Sequence, residues 1–382
     1  MNNIKTKKIA IIGAGPGGLT LVRLLQMDGF NVTVYERDTS ENARPKGATL
    51  DLHEESGLAA LQEAKLMDAF MANYRPGADR TRIVDQHGHI IFEDGDAQNR
   101  GTFRPEIDRG PLQKILLDSL APNTVIWDQH FDALSPNQDA WMISFKNGTF
   151  ADADIVIAAD GANSKIRPYL TPIKPFYSGV TIVEGTVYDS ATASPKIDQL
   201  LNGGKIFALG DEKSLIVSSK GDGSLVFYTG CNTAENWSKD AGINFSDQQQ
   251  VINWFKSEFE SWDPIWLELF ENASTAFIPR PQYCMPLDQT WDPLPNLTML
   301  GDAAHLMPPY AGEGVNMAML DALTLSRCFK DQHLGTSGEA IAAYEKEMLK
   351  RASETADMTM QSTAALHSTY AINFMLNIMG HE

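Results

Sequence analysis

Four consecutive apolar positions, Ile9 to Ile12, run into a cluster of glycines, and apolar residues then recur at Leu21, Leu24 and Leu25. Such spacing predicts a buried strand over 9–12, a glycine-rich turn over 13–18 and a helix over 19–27, stopped by Gly29. Val32 to Tyr35 then reads as a second strand ending at Glu36. A strand, a crossover helix and a strand within so few residues form a parallel unit. Helical segments are expected near 54–71 and again over 111–120, the latter with Pro111 in its first turn. Residues 154–159 read as a buried strand closing on Asp160 and Gly161. From about 171 to 286 the pattern changes to short strand-like runs (181–187, 214–217, 225–229) with one helix near 251–260. The α/β character returns with a strand at 297–300 and a helix from about Val315, and a largely helical tail follows from Gly338 to about Met379. The expected fold class is α/β. A Rossmann-like domain is built from 1–170 and 287–335, a β-rich domain of 171–286 is inserted into it, and a C-terminal helix, 336–382, bridges the two.

Composition narrows the partners. At 382 residues with 43% hydrophobic and 21% charged positions, the chain can bury a large core together with a cofactor. A formal net charge of −18 repels phosphate backbones and anionic lipid heads, so neither nucleic acid nor a membrane is an expected partner. Cys231, Cys284 and Cys328 are odd in number and far apart. They suggest no disulfide framework and no metal-ligand spacing, in keeping with a cytoplasmic location. The lysines before Ile9 imitate the start of a signal peptide, but the apolar run stops at Gly13 and is too short for one.

Three motifs carry the chemistry. Gly13-Ala-Gly15-Pro-Gly-Gly18 follows a strand and opens a helix. There, glycines allow a tight turn and bring backbone N–H groups to a pyrophosphate at the positive helix end. Glu36, about 20 positions on, is the acceptor a ribose hydroxyl needs. This motif does not choose between FAD and NAD. The second, Asp160-Gly161-Ala-Asn-Ser164 with Lys165 and Arg167 behind it, reads by itself as a plain turn. The third runs from Gly301-Asp302-Ala-Ala-His305 through Pro308, Pro309, Gly312 and Gly314 to Val315 and Asn316, with Asp321 beyond. Asp302 suits a ribityl or ribose hydroxyl. Gly312 and Gly314 let the chain pass a flat ring, and the next helix points its positive end at the edge where reduced flavin is anionic. Two ends of one extended cofactor are thereby accounted for, which favours FAD.

Together these motifs resemble those of the single-component (class A) flavoprotein aromatic hydroxylases, over nearly the whole chain. More narrowly, VYERD (34–38), TLDLH (49–53), TVIWD (124–128) and GDAAHLMPPYAGEGVN (301–316) resemble the Tet(X)-type tetracycline-inactivating monooxygenases. The resemblance implies that Glu36 and Arg37 meet the adenosine ribose end, that Arg44 and Arg109 contact the FAD chain, and that Asp302 holds the ribityl side. Pro308 to Gly314, with Val315 and Asn316, would line the isoalloxazine, and Asp160 would sit near FAD in a segment linked to NADPH use. The substrate contacts depart from the family pattern. Lys205 stands where those proteins carry Arg, Glu184 where they carry Gln, and Val226 where they carry His. Lys is a poor substitute for a planar bidentate donor, so the substrate need not be shared.

No nucleophile–base pair and no phosphate-binding P-loop are present, which suits an enzyme whose hard chemistry belongs to its cofactor. The expected reaction is a monooxygenation. NADPH reduces FAD and departs, O2 forms a flavin C4a-hydroperoxide, and one oxygen passes to a small aromatic or polyketide substrate, tetracyclines included. The protein is expected to act as a monomer, positioning the substrate and excluding water. His305 is read as a packing residue, and Glu184 as a candidate acid or an ordinary strand carboxylate. Alternatives are a hydroxylase of another phenolic or heteroaromatic metabolite, and a non-catalytic flavoprotein that sequesters a drug. A disulfide reductase would need a second glycine motif and a redox cysteine pair.

Overall fold

The structure is a computed structural model and describes residues 3–43, 49–94 and 104–380. Strands form from the apolar runs where both faces can be covered. Lys8–Ile12, with four of its five residues buried, is the middle of a five-stranded sheet. The order is Leu297–Met299, Ile155–Ala158, Lys8–Ile12, Asn31–Tyr35 and Val125–Ile126, parallel throughout. Doubly covered parallel strands carry unbroken apolar sequence, which is why Ile9–Ile12 and Ile155–Ala158 are so easily read. The helix Pro16–Met27 crosses between the first two strands and packs on the helix Gly314–Lys330. Gly17 makes that approach possible, since a Cβ there would come within 2.9 Å of the Ala318 carbonyl oxygen and 2.8 Å of Leu300 Cδ1.

A second, seven-stranded sheet has the order Ile278–Cys284, Phe176–Val187, Leu225–Asn232, Lys213–Ser219, Lys205–Gly210, Thr81–Asp85 and Ile90–Glu93. Its pairings are antiparallel except that between Lys205–Gly210 and Thr81–Asp85. The back of this sheet is sealed by an aromatic layer from the helices of 248–271. Phe255 stacks on Phe270 at 4.1 Å, and Phe227 meets Phe270 edge-on at 5.1 Å. Trp266 is fully buried in the same layer. Gly185 lies beneath the Phe227 ring, where a Cβ would collide with the ring carbons.

Three features differ from the pattern-based expectation. The seven-stranded sheet is not confined to 171–286, because Thr81–Asp85 and Ile90–Glu93 add two strands at its far edge. These are four- and five-residue segments, and Thr81–Asp85 joins the sheet through Lys205–Gly210, more than a hundred positions away, so local periodicity hardly marks them. The stretch 54–71 is not one helix but three short pieces, Glu54–Leu58, Ala59–Glu63 and Met67–Met71. The first is a wide turn against which Asn316 docks, and Lys65 interrupts the path with φ of 58°. The tail is two helices, Ser337–Leu366 and Ala371–Ile378, broken at His367–Tyr370. The longer one starts at a capping box in which Thr336 and Glu339 exchange bonds of 3.2 and 2.9 Å. It touches both sheets. The Tyr344 hydroxyl donates to the Met299 carbonyl (2.9 Å), and at its far end the Asn232 amide donates to the His367 carbonyl (3.1 Å). Among the described residues no helix is long and apolar enough to cross a membrane.

The Gly185–Phe227 contact makes a direct test of this packing. Gly185→Ala overfills a closed aromatic layer and should cost about 1–3 kcal/mol in denaturant unfolding. Trimming the ring in the double variant Gly185→Ala/Phe227→Leu should recover part of that loss. Equal stability of wild type and Gly185→Ala would show that the layer yields freely.

Candidate cofactor and substrate site

The first cradle forms at the end of Lys8–Ile12. Gly13 adopts φ of 113°, open to glycine, and a side chain on it would strike the Ala159 carbonyl. Gly18 packs its Cα against the Gly13 carbonyl, so it too has no room for a Cβ. Gly15 is different. Its φ of −73° demands nothing special and the space around its missing side chain is open, at the N-terminal end of the Pro16–Met27 helix. That is the opening an anion needs to reach backbone N–H groups. Glu36 is buried beside it, its Oε2 accepting from the Ala14 N–H at 2.6 Å and its Oε1 from the Asp38 N–H at 3.0 Å. Glu36 therefore also braces the glycine loop it serves. Arg37 is exposed next to it, and Arg44 lies outside the described residues.

Asp160 follows Ala159 directly. Its Oδ2 accepts from the Lys165 N–H at 2.8 Å, while its Oδ1 is buried without a partner and burial pushes its carboxyl above the usual range. Arg167, six residues from Gly161, does something the motif alone did not reveal. Its buried guanidinium donates to the carbonyls of Ala303 (2.9 Å) and Ala304 (2.8 Å) and to Gln289 Oε1 (2.5 Å). Burial lowers its pKa to about 10, still cationic at neutral pH. The second motif thus props up the turn of the third.

That turn, Asp302–His305, follows Gly301 at φ of 59°. Asp302 is open to the cleft yet enclosed enough for its carboxyl to be pushed upward, against the pull of His305 and Arg109. Arg109, the first residue of the helix Arg109–Asp118, is exposed and within electrostatic reach of both Asp302 and Tyr228. Below the turn, Asp321 is fully buried and accepts from Gly301 N–H (2.9 Å), His305 Nε2 (2.5 Å) and Arg351 (2.7 Å). Burial alone would raise the Asp321 pKa, but His305 and Arg351 hold it below the usual carboxylate range; His305 is raised in turn by Asp321. His305 is accordingly committed to the turn.

The loop continues through buried Pro308 and Gly312 (φ of 72°) to Gly314, which opens the helix Gly314–Lys330 and where a Cβ would lie 4.0 Å from Asp302 Oδ1. Val315 is half-buried in its first turn. The Asn316 side chain is wholly enclosed and bonded to protein. Its Oδ1 accepts from His53 N–H (2.9 Å), Ser56 Oγ (3.2 Å) and Gly57 N–H (3.3 Å), and its Nδ2 donates to the Asp51 carbonyl (2.9 Å). Only its backbone is free to face a ring.

Strand alternation brings the three substrate candidates to one face of the seven-stranded sheet, opposite the aromatic layer. One row across it reads Glu184, Tyr228, Ile216, Phe207; the next reads Thr186, Val226, Ser218, Lys205. None of the three is a free polar anchor. Glu184 accepts from Arg280 Nε at 2.5 Å, an ion pair that argues against its acting as an acid. Lys205 pairs with Glu106; burial opposes its charge, but Glu106 and Asp51 raise its pKa overall. Val226 is buried. Sequence reasoning missed Arg280, Tyr228 and His53. His53 lies inside TLDLH, and its ring is clamped between Asp51 Oδ2 (3.0 Å) and Glu313 Oε1 (3.4 Å). Burial disfavours the imidazolium, but the two carboxylates outweigh it and raise the pKa to about 9.

A family model described as "FAD binding domain" matches residues 6–236 and 295–359. The chain is 29% identical to monooxygenase asqM of Emericella nidulans over 97% of this chain and 98% of that one. It is 26% identical to 6-hydroxynicotinate 3-monooxygenase of Pseudomonas fluorescens over 94% and 92%. Among solved structures, tetracycline destructase Tet(55) superimposes with a TM-score of 0.78, covering 100% of this chain and 96% of its own, at 20% identity. That last likeness is one of fold.

The His53 clamp has a pH signature. Its folded pKa of about 9 lies above the ordinary 6.5. The stabilisation is therefore complete below about pH 6.5 and is lost as pH rises toward 9, an effect of roughly 3 kcal/mol. Urea unfolding across that window should show the loss in the wild type and little of it in His53→Gln; parallel slopes would remove the assignment.

Proposed function

The chain belongs to the FAD-binding-domain family of class A flavoprotein monooxygenases, and from that premise we propose that it hydroxylates a small, flat aromatic or heteroaromatic substrate at the expense of NADPH and O2. FAD is the cofactor. The residues fit it: Gly15 leaves the helix end open, Asp302 stands at the mouth of a second helix, and both loops leave the same edge of the parallel sheet. When bound, FAD supplies the exchange of electrons with the nicotinamide and with oxygen.

The protein's own contribution follows from its side chains. The N-terminal end of Gly314–Lys330 and Arg109 offer positive potential where a flavin would gain negative charge. Asp302 accepts a hydroxyl of the ribityl chain. Asp160, with one oxygen still unpartnered, is an acceptor close to the glycine loop. Water is kept from the reacting centre by Phe207, Ile216 and Tyr228 on the sheet face. The reductant visits and leaves, as the expectation of a single glycine motif requires, and the enzyme works as a monomer.

One observation carries the choice of substrate. The positions that would anchor a large polar polyketide are spent, Lys205 on Glu106 and Val226 on packing, while the Glu184–Arg280 pair remains as the polar edge of the sheet face. This supports a planar phenol or hydroxylated heteroaromatic, with the pair meeting its polar substituents, over a tetracycline.

The test mixes the FAD-loaded protein with NADPH, O2 and either hydroxypyridines and phenols or tetracycline. NADPH loss that depends on a small aromatic, with a product one oxygen heavier, is the expected outcome. Arg280→Gln should then raise KM about tenfold, near 1.4 kcal/mol, at unchanged FAD content. Turnover of tetracycline alone would overturn the substrate class, and tight substrate binding without NADPH loss would favour a sequestering protein.

A further inference from the structure

Three histidines are buried around the cleft, and they are not in the same state. His53 and His305 each lie against carboxylates. His367, at the break between the two C-terminal helices, does not. Its Nδ1 is 2.7 Å from the Thr363 carbonyl, which can only accept, so the proton sits on Nδ1 and Nε2 offers a lone pair. Facing that lone pair are Ser214 Oγ at 3.1 Å, from the seven-stranded sheet, and the Tyr310 hydroxyl at 3.3 Å, from the Pro308–Gly314 loop.

The meeting point is built by a glycine. Gly230 lies in the strand Leu225–Asn232 with no positive φ to require its residue type. A Cβ there would collide with His367 Nε2 and Ser214 Oγ and stand 2.5 Å from the Tyr310 hydroxyl. Three polar heads from three elements therefore share the volume of one methyl group. The Tyr310 and His367 rings meet edge to face at 4.9 Å, and Asn232 clasps the His367 carbonyl from the same strand. Around them lie Leu209, Leu366, Ala371 and Met375.

We propose that His367 is a positioning residue, a neutral latch that holds Tyr310, and with it the loop that lines the flavin, against the substrate sheet. The inference rests on the proposed function only for its effect on turnover, since the latch itself acts on how FAD is held. Its hydroxyl fixed, the half-buried Tyr310 ring becomes a rigid wall between the cofactor and the sheet face. Protonating His367 would leave a buried cation with no counter-charge. The groups that face it are Thr363 on its own helix, Ser214 on the sheet and Tyr310 on the loop, with Tyr177 and Cys231 acting on Tyr310 from neighbouring strands. None of them is a carboxylate. Burial accordingly lowers the His367 pKa. The latch is intact above the ordinary value of 6.5 and weakens as pH falls below it, the opposite sense to His53.

FAD affinity, measured by fluorescence titration of the apoprotein between about pH 5.5 and 7.5, tests this without any substrate. Tyr310→Phe and His367→Ala should each weaken binding at the upper pH about fivefold, the scale of one buried hydrogen bond, and the double variant should be no worse than either. His367→Gln, which keeps an acceptor but cannot titrate, should bind nearly as the wild type does there and lose the wild type's weakening on acidification. Additive losses, or an acid limb unchanged in His367→Gln, would overturn the latch. If these shifts appear in a protein that oxidises no aromatic compound, the substrate reading fails and the latch stands.

Discussion

A carboxylate with no exposed surface governs the cofactor side of this protein. Asp321 reaches into the Asp302–His305 turn from the middle of the Gly314–Lys330 helix and takes bonds from Gly301, His305 and Arg351. Burying such a charge costs several kcal/mol unless the geometry repays it. Here the repayment comes from three elements at once: the end of a strand, a turn, and the long C-terminal helix that carries Arg351. None can shift without stranding the charge. Arg167 holds the same turn from its other side through the carbonyls of Ala303 and Ala304. Asp302, at the head of that turn, is thereby fixed beside the end of the helix at Gly314, although among the described residues no side-chain hydrogen bond holds Asp302 itself there.

The seven-stranded sheet answers this rigid half with two unlike faces. Alternation sends Phe227 and its neighbours to the aromatic layer and Val226 and Tyr228 to the cleft. Each face takes in its neighbour at a glycine, Gly185 beneath the Phe227 ring and Gly230 beneath the junction of Ser214, Tyr310 and His367. A missing Cβ is what allows a bulky or polar group to approach a pleated surface so closely. The sheet is thus clamped from behind by packing and from the front by hydrogen bonds.

How much of this could be read from the chain depended on how local the cause was. The glycine loop, its flanking strands and Glu36 lie within thirty residues of one another, so a pattern of apolar positions and glycines was enough to find them. The helical tail was legible for the same reason. By contrast, Arg167 works through carbonyls more than 130 positions away, and His53 owes its charge partly to Glu313, some 260 positions on. Neither has a signature in its own neighbourhood. Asn316 was found by motif, but its side chain turned out to bind the 51–57 segment, so the motif located the residue without stating its task. Glu184, Val226 and Lys205 were named from the resemblance alone, and it is the strand register that places them on one face. Their partners, Arg280 and Glu106, belong to other strands and were invisible.

The net charge of −18 stands against a site that receives the pyrophosphate of FAD. The two act at different ranges. Exposed acidic groups are screened within about 8 Å at physiological salt, and at that distance they discourage long polyanions that must lie along the surface. At the site, the imidazolium of His53 is enclosed by protein, where a charge acts in a lower dielectric, while two helix N-termini and the exposed Arg109 and Arg280 act over a few ångströms. A compact anion that enters is met by these groups before it feels the surface. The acidic exterior therefore limits which anions arrive, and the local cations decide which one stays.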